Sequence, residues 1–467
     1  VKTHHTIFPF CLLILFVFSL ASYAEEPELP FTQWTGGSGN WHDSTKWTNG
    51  VPHGEEFAEV ANGEVAFSTE THSHVLVIGQ TGPVNEVAIV TGSADMVVNT
   101  ILQVGTSSGT GKGTVERGTG KLTLSQADLR ILGGTIFPDD TIDFAMGDLT
   151  IGTASGTGTN TSFTGIGEVN IADGDLIVPL GITVGSGGGT GTNTTMVGRG
   201  KLNLTGSNVT TQGFFIGESD GTGTSTGTGV GEVVVTSGNI ILVDSPLDAI
   251  YDVDIPGTPK THLWIGIAGG TGGFNGNATG TLNVFDGDVV ADSVMIGRTS
   301  PISSSSGASQ GSLFLEDGDL QMKEMVLGLS SSNGGPASGL FQQIRGTTTG
   351  DSLSVGPSSK IVLGISGPTA GVDYSQILVD SVALNGAFEA RFVEGFLPAP
   401  GDVFNLMMAD SITGSYSFQI TGINTAEYPN LVITQSDQLV QLRFTVPEPC
   451  VLALLALGCV LSVIRRA

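Results

Sequence analysis

The residues that could do chemistry recur in short clusters. Asp286-Gly-Asp288 and Asp317-Gly-Asp319 occupy equivalent places 31 residues apart, with Glu316 beside the second pair. Stacked strands would bring such carboxylates within ~5 Å of one another, where like charges repel unless solvent or a cation offsets them. Calcium accepts oxygen clusters of this kind and is the one cofactor the sequence suggests. The glycine-rich calcium nonapeptide is absent. The same place in other units holds Asp128, Asp175, Asn208 and Asn239, each followed by an apolar residue. Asp and Asn tolerate left-handed backbone and cap their own turn, so the column also reads as a structural turn ladder. Both readings stand at this point.

Other chemistry is thinner. His72 and His74 share one face of a strand and could give two metal ligands, but spacing fixes no third. Arg199 and Arg298 each follow a strand, where a polysaccharide lyase or hydrolase would pair Arg with carboxylates. No acid–base set gathers around either at repeat spacing. There is no Gly-x-Ser-x-Gly elbow, phosphate loop or His-Glu-x-x-His helix. Cys11, Cys450 and Cys459 lie in terminal apolar runs, so the body has neither a cysteine nucleophile nor a disulfide framework. The expectation is a protein that is not an enzyme.

The elements that carry these residues form a repeat. A unit opens with Gly and an apolar-x-apolar strand, as in Gly167-Glu-Val-Asn-Ile, Gly200-Lys-Leu-Asn-Leu, Gly231-Glu-Val-Val-Val, Gly280-Thr-Leu-Asn-Val and Gly311-Ser-Leu-Phe-Leu. It closes on Val184-Gly185, Ile216-Gly217, Ile265-Gly266, Ile296-Gly297 or Leu327-Gly328, and a Gly/Ser/Thr-rich connector follows. One unit is lengthened by an insertion around Asp244 to Lys260. The two-residue period puts one face inward. A unit of about 31 residues fits one coil of a parallel β-helix or related β-solenoid, with Gly, Ser and Thr at the corners. The expected fold is all-β, with a β-rich C-terminal cap and short apolar helices at both termini.

Composition agrees with an elongated array. The 467 residues include 70 Gly, only 13% are charged, and 7% are aromatic. The net charge of −27 repels phosphate backbones, which argues against nucleic acid as a partner. Trp34, Trp41 and Trp47 cluster ahead of the repeats. They read as a cap over the first coil or, alternatively, as a carbohydrate-stacking platform. Residues 359–445 lose the connectors and gain Phe388, Phe392, Phe396, Phe404, Phe418 and Phe444.

The two ends carry an address. Lys2, His4 and His5 precede the apolar run Ile7 to Leu20, and Ser22 and Ala24 stand where a signal peptidase reads, so cleavage is expected after Ala24. At the other end Pro447-Glu448-Pro449 precedes the apolar run Cys450 to Ile464, closed by Arg465 and Arg466. This layout resembles the PEP-CTERM sorting signal of Gram-negative bacteria. The resemblance implies recognition by an exosortase-type membrane protease, a transmembrane helix held in the inner membrane in transit, and final display at the cell surface or release outside the cell. The Trp-rich opening and the Phe-rich segment before the tail are similar to those of exported PEP-CTERM and autotransporter-like solenoid proteins. That likeness implies association with extracellular polysaccharide or biofilm. The resulting division is 1–24 signal peptide, 25–74 N-terminal cap, 75–358 repeats, 359–445 C-terminal cap and 446–467 sorting signal.

Overall fold

The computed structural model describes residues 30–80, 87–133, 147–244, 261–299, 307–331, 334–393, 395–428 and 431–445. Ala24, the sorting residues Pro447, Glu448, Pro449, Arg465 and Arg466, both terminal apolar runs and residues 245–260 lie outside them. The fold is all-β. Among the described residues the helical turns are 3₁₀ turns at Ser44–Lys46 and Thr425–Glu427. No helix among them is long and apolar enough to cross a membrane.

As far as Ser417–Thr421, each strand pairs in parallel with the equivalent strand of a neighbouring unit. One unbroken column of partners runs Phe31, Phe57, Val75, Ile101, Asp148, Gly181, Gly213, His262, Ser293, Glu324, Ser352, Ser381 and Ser411. The alternation in the sequence produces this directly. In one unit Leu202 and Leu204, then Val209, then Phe214 and Ile216, point inward and are buried. In the next unit Val233 and Val235, Ile240, and Leu263 and Ile265 sit on them, and Leu242 sits on the buried Thr211. Each such side chain contributes ~1.5–3 kcal/mol of burial, and the neighbouring unit supplies much of the cover.

The connectors differ from the expected corners: they are strands. Gly109, Gly156, Gly189 and Gly221 align across four units, and so do Thr110, Thr157, Thr190 and Thr222. The chain runs outward along this ladder and returns along another, in which Phe163 is aligned with Met196. Between the two lies a second small core of Ala154, Phe163, Met196 and Phe274. The inward glycines leave room for it: a methyl at Gly189 would stand 2.7 Å from Met196 Sδ, and one at Gly221 2.7 Å from Phe274. Gly is depleted in strands, whereas the β-branched Thr favours them. Here in-register neighbours complete their backbone hydrogen bonds.

Where the chain leaves the body for a connector and returns, glycines meet backbone to backbone. It leaves at the closing Gly185 (φ 72°) and returns at the opening Gly200. A Cβ on Gly185 would collide with the carbonyl of Val230, and one on Gly200 with the carbonyl of Ile151. Gly105, Gly152, Gly217 and Gly266 repeat both the left-handed backbone and the collision.

Both ends of the stack are covered by aromatic rings. Trp34, Trp41 and Trp47 are 3%, 1% and 4% exposed, and Trp41 packs edge-on against Trp47 and Phe67. Trp47 Nε1 donates to the Trp41 carbonyl at 2.7 Å. Buried rings offer no open face on which a sugar could stack. Towards the C-terminus parallel pairing crosses residue 358 without a break and continues to Ser417–Thr421. Strand Leu439–Phe444 then pairs antiparallel with Val403–Thr413, and Leu431–Gln435 pairs antiparallel with Leu439–Phe444. Phe392, Phe404 and Phe444 interlock edge-on beneath.

One buried charge cluster ties these last units together. Glu389 is 2% exposed, pairs with Lys360 and with Arg391 (2.8 Å), and accepts from Thr421 Oγ1 at 2.6 Å. Burial pushes its carboxyl up, but hydrogen bonds from Lys360, Thr421 and Arg391 outweigh burial and hold it at about 2.

Two outcomes follow. Gly185→Ala combines a left-handed strain of ~1–2 kcal/mol with an overpacking cost of ~1–3 kcal/mol. Urea titration should show the stack destabilised by about 3 kcal/mol or unable to fold; an unchanged midpoint would contradict the backbone contact. For Glu389 the folded pKa is depressed, so its contribution is present above the ordinary glutamate value of 4.5 and is lost as pH falls towards 2. Glu389→Gln should cost about 3 kcal/mol at neutral pH and reduce the loss of stability over that acid window. Equal acid profiles for variant and parent would contradict the assignment.

Candidate functional site

The Asp/Asn column is a continuous ladder of side-chain to backbone hydrogen bonds. Asp95 Oδ1 accepts from the Asp128 N–H at 3.0 Å, Asp128 from Asp175 at 2.9 Å, and Asp175 from Asn208 at 3.2 Å. Asn208 accepts from Asn239 at 3.1 Å, Asn239 from Asp288 at 2.9 Å, Asp288 from Asp319 at 2.8 Å, and Asp319 from Thr347 at 2.7 Å. Each turn is thus fastened to the next through one carboxylate or amide oxygen, as the turn reading of the sequence expects. The spacing rule finds six of these residues. It misses Asp95, which begins the ladder, and Thr347, whose N–H ends it.

The four aspartates proposed for calcium are divided by this arrangement. Asp288 and Asp319 each commit Oδ1 to the ladder. Asp286 is aligned with Asp317, and Asp317 Oδ2 lies 3.4 Å from Arg345 Nε. Among the described residues no group of three or more His, Cys, Asp or Glu could hold a metal ion. His72 is exposed and lies 3.3 Å from Glu70, next to a register shift between Ser73 and Val75. Elsewhere on the surface opposite charges alternate up the stack: Lys121 meets Glu168 at 3.0 Å, and Lys201 meets Glu232 at 3.2 Å. Such exposed pairs set register more than they stabilise.

The densest chemistry lies on an outer face that sequence spacing does not mark. In consecutive units His262, Ser293 and Glu324 are aligned, as are Phe215, Trp264 and Met295. Phe215 meets Trp264 edge-on at 5.2 Å, and the His262 ring lies 5.5 Å from Trp264. Burial lowers the His262 pKa, opposed by Glu324 and Asp292. Arg298 Nη1 lies 3.1 Å from Met295 Sδ, and burial disfavours its charge, opposed by Glu324. Arg199 is elsewhere, on the returning ladder beside Ile166 and Val230.

Glu218 stands at the edge of this face. Burial, and then the neighbouring Asp220, push its carboxyl up to about 7. It lines a dent with Phe215, Ile216, Gly217, Trp264 and Ile267 that has no space for a water molecule. Asp148, two units below in the column through Gly181 and Gly213, is pushed up to about 6 by burial, opposed by a hydrogen bond from the Gly181 N–H. A glutamic acid with a pKa of about 7 can donate a proton near neutral pH, but the dent beside it has no room for even a water molecule. The other carboxylates are engaged: Glu324 accepts from Ser293 Oγ at 2.8 Å, and Asp292 pairs with Lys323 at 2.8 Å. The one sequence signal for the face is Trp264 beside His262, the single tryptophan outside the N-terminal cluster.

No protein-family model matches the chain, and no curated protein matches it.

Two measurements bear on this surface. Because the ladder and Arg345 already occupy aspartate oxygens, millimolar calcium should leave the thermal midpoint unmoved. A rise that Asp288→Asn abolishes would restore the cation reading. Glu218 has a folded pKa raised above the ordinary 4.5, so its contribution is fully present below 4.5 and is lost as pH rises through about 7. The parent should therefore lose stability between pH 5 and pH 8, and Glu218→Gln should flatten that slope; parallel curves would contradict the buried neutral acid.

Proposed function

We propose that the chain is a non-catalytic exported protein of the cell surface or extracellular matrix, built as a parallel β-helix and associated with extracellular polysaccharide. The observation that carries this reading is the unbroken in-register column from Phe31 to Ser411, covered by tryptophans at one end and phenylalanines at the other. A stack of this kind has extended repeating faces in place of a single concave site. Rows of Ser, Thr, Asn and Gly on those faces suit many weak contacts with a hydroxyl-rich polymer. The acidic surface supports solubility outside the cell and disfavours nucleic acid.

Sorting by an exosortase-type protease through Pro447, Glu448 and Pro449, with Arg465 and Arg466 holding the tail at the inner membrane in transit, belongs to the same proposal. Calcium at Asp286, Asp288, Asp317 and Asp319 is not required by it. A second reading, a polysaccharide lyase or hydrolase on the same scaffold, draws on Arg298, His262, Glu324 and Glu218 sharing one face. It is the weaker because the dent has no room for a water molecule and Glu324 is already hydrogen-bonded.

Mass spectrometry of the mature C-terminus after cell fractionation tests the address. A terminus near Val446–Pro449 in surface or extracellular material is expected. An intact Arg466–Ala467 end in the inner membrane would contradict sorting and leave a plain tail anchor.

A further inference from the structure

The stack ends differently from how it runs. Through the body most parallel strands are bonded on both sides by their neighbours; Phe31–Gln33 and Ser38–Asn40 at one end, the connector strand Ser107–Lys112, and Ser417–Thr421 at the other end each have one described partner strand. At the C-terminal end strand Leu431–Gln435 is bonded on one side, to Leu439–Phe444, and no other described strand pairs with it. The Leu431 N–H donates to the Tyr428 carbonyl at 3.1 Å, and no described strand meets the row of backbone groups that points away from Leu439–Phe444. Sheet edges of this kind are commonly protected by Lys, Pro, a bulge or inward-pointing charge. The sequence Leu-Val-Ile-Thr-Gln has no charge and no proline, and it exposes Val432 (44%) and Ile433 (41%).

We propose that this edge is a self-association surface, pairing antiparallel with the same strand of a second copy of the chain. An antiparallel pair has the two-fold symmetry of a closed dimer. Centred on Ile433, it sets Leu431 opposite Gln435 and Val432 opposite Thr434, so no charge is placed opposite a like charge. A net charge of −27 repels copies of this protein from one another over most of their surface. An uncharged edge is where two such molecules approach at least electrostatic cost. Screening of the remaining repulsion makes the association stronger as salt rises, the reverse of a dimer held by ion pairs. Five residues a side bury little area, so the dimer is a weak one, suited to molecules crowded on a surface.

The test uses the full chain in detergent solution, with sedimentation velocity over a concentration series at low and high salt, and hydrogen exchange of the Leu431–Gln435 amides. A dimer that strengthens with salt is expected, with exchange protection of those amides that rises with protein concentration. Val432→Lys should weaken the dimer ~10-fold or more and leave the melting temperature unchanged. Ile433→Lys gives the same reading independently should the first variant fold poorly. Amides protected equally at all concentrations would mean that the chain's own residues cover the edge, and the proposal would be wrong. Monomer throughout, or a dimer indifferent to both lysine substitutions, would overturn it equally.

Discussion

Between each closing glycine and the opening glycine that follows, two backbone segments touch with no side chain between them. Gly185 and Gly200 show the geometry, and Gly105, Gly152, Gly217 and Gly266 repeat its closing half. The contact fixes where the chain may leave the body and where it must return. Once those points are set, the inward apolar positions of successive units fall on one another. The connectors are then launched in parallel, close enough for their own ladder and for the small core around Phe163 and Met196. A side chain at the neck would separate the segments and disturb both cores.

Stacking leaves three physical problems, and the chain answers each with a different residue type. Turns that repeat at strand spacing must satisfy their N–H groups, and the Asp/Asn ladder from Asp95 to Thr347 does so. Exposed apolar core at each end is covered by rings. Charge stacked in register is repulsive. The chain relieves it by alternating Lys with Glu on one face, by spending aspartate oxygens on backbone donors on another, and by burying Glu389 between Lys360 and Arg391. Glu218 and Asp148 are exceptions, carboxyls that burial pushes up to about 7 and about 6.

Much of this was legible beforehand because it follows from periodicity. Leu202 and Leu204 alternate with polar residues and face inward, and Asn208 and Asn239 recur at the turn and fasten it. The connectors were misread as corners because Gly is depleted in strands and the segments lack the apolar alternation that marks one. Only stacking in register, a long-range property, makes Gly156 and Thr157 part of a sheet. The face around Phe215, His262 and Trp264 was missed for a related reason: its residues come from units separated by an insertion, and alignment across units, not spacing within one, brings them together. Glu389 could not be singled out either, because Lys360 and Thr421 become its partners only through pairing of strands about 30 residues away on either side.

The central claim is that successive units lie one strand spacing apart in fixed register. Lys121, Glu168, Lys201, Glu232, Thr281 and Ser312 form one outward column. Spin labels at Lys121 and Ser312 are therefore five strand spacings apart, and pulsed electron resonance should give a narrow distance distribution near ~24 Å. Labels at Lys121 and Glu232 should give about three-fifths of that value. A broad distribution, or a distance that does not scale with the number of intervening units, would contradict the stack.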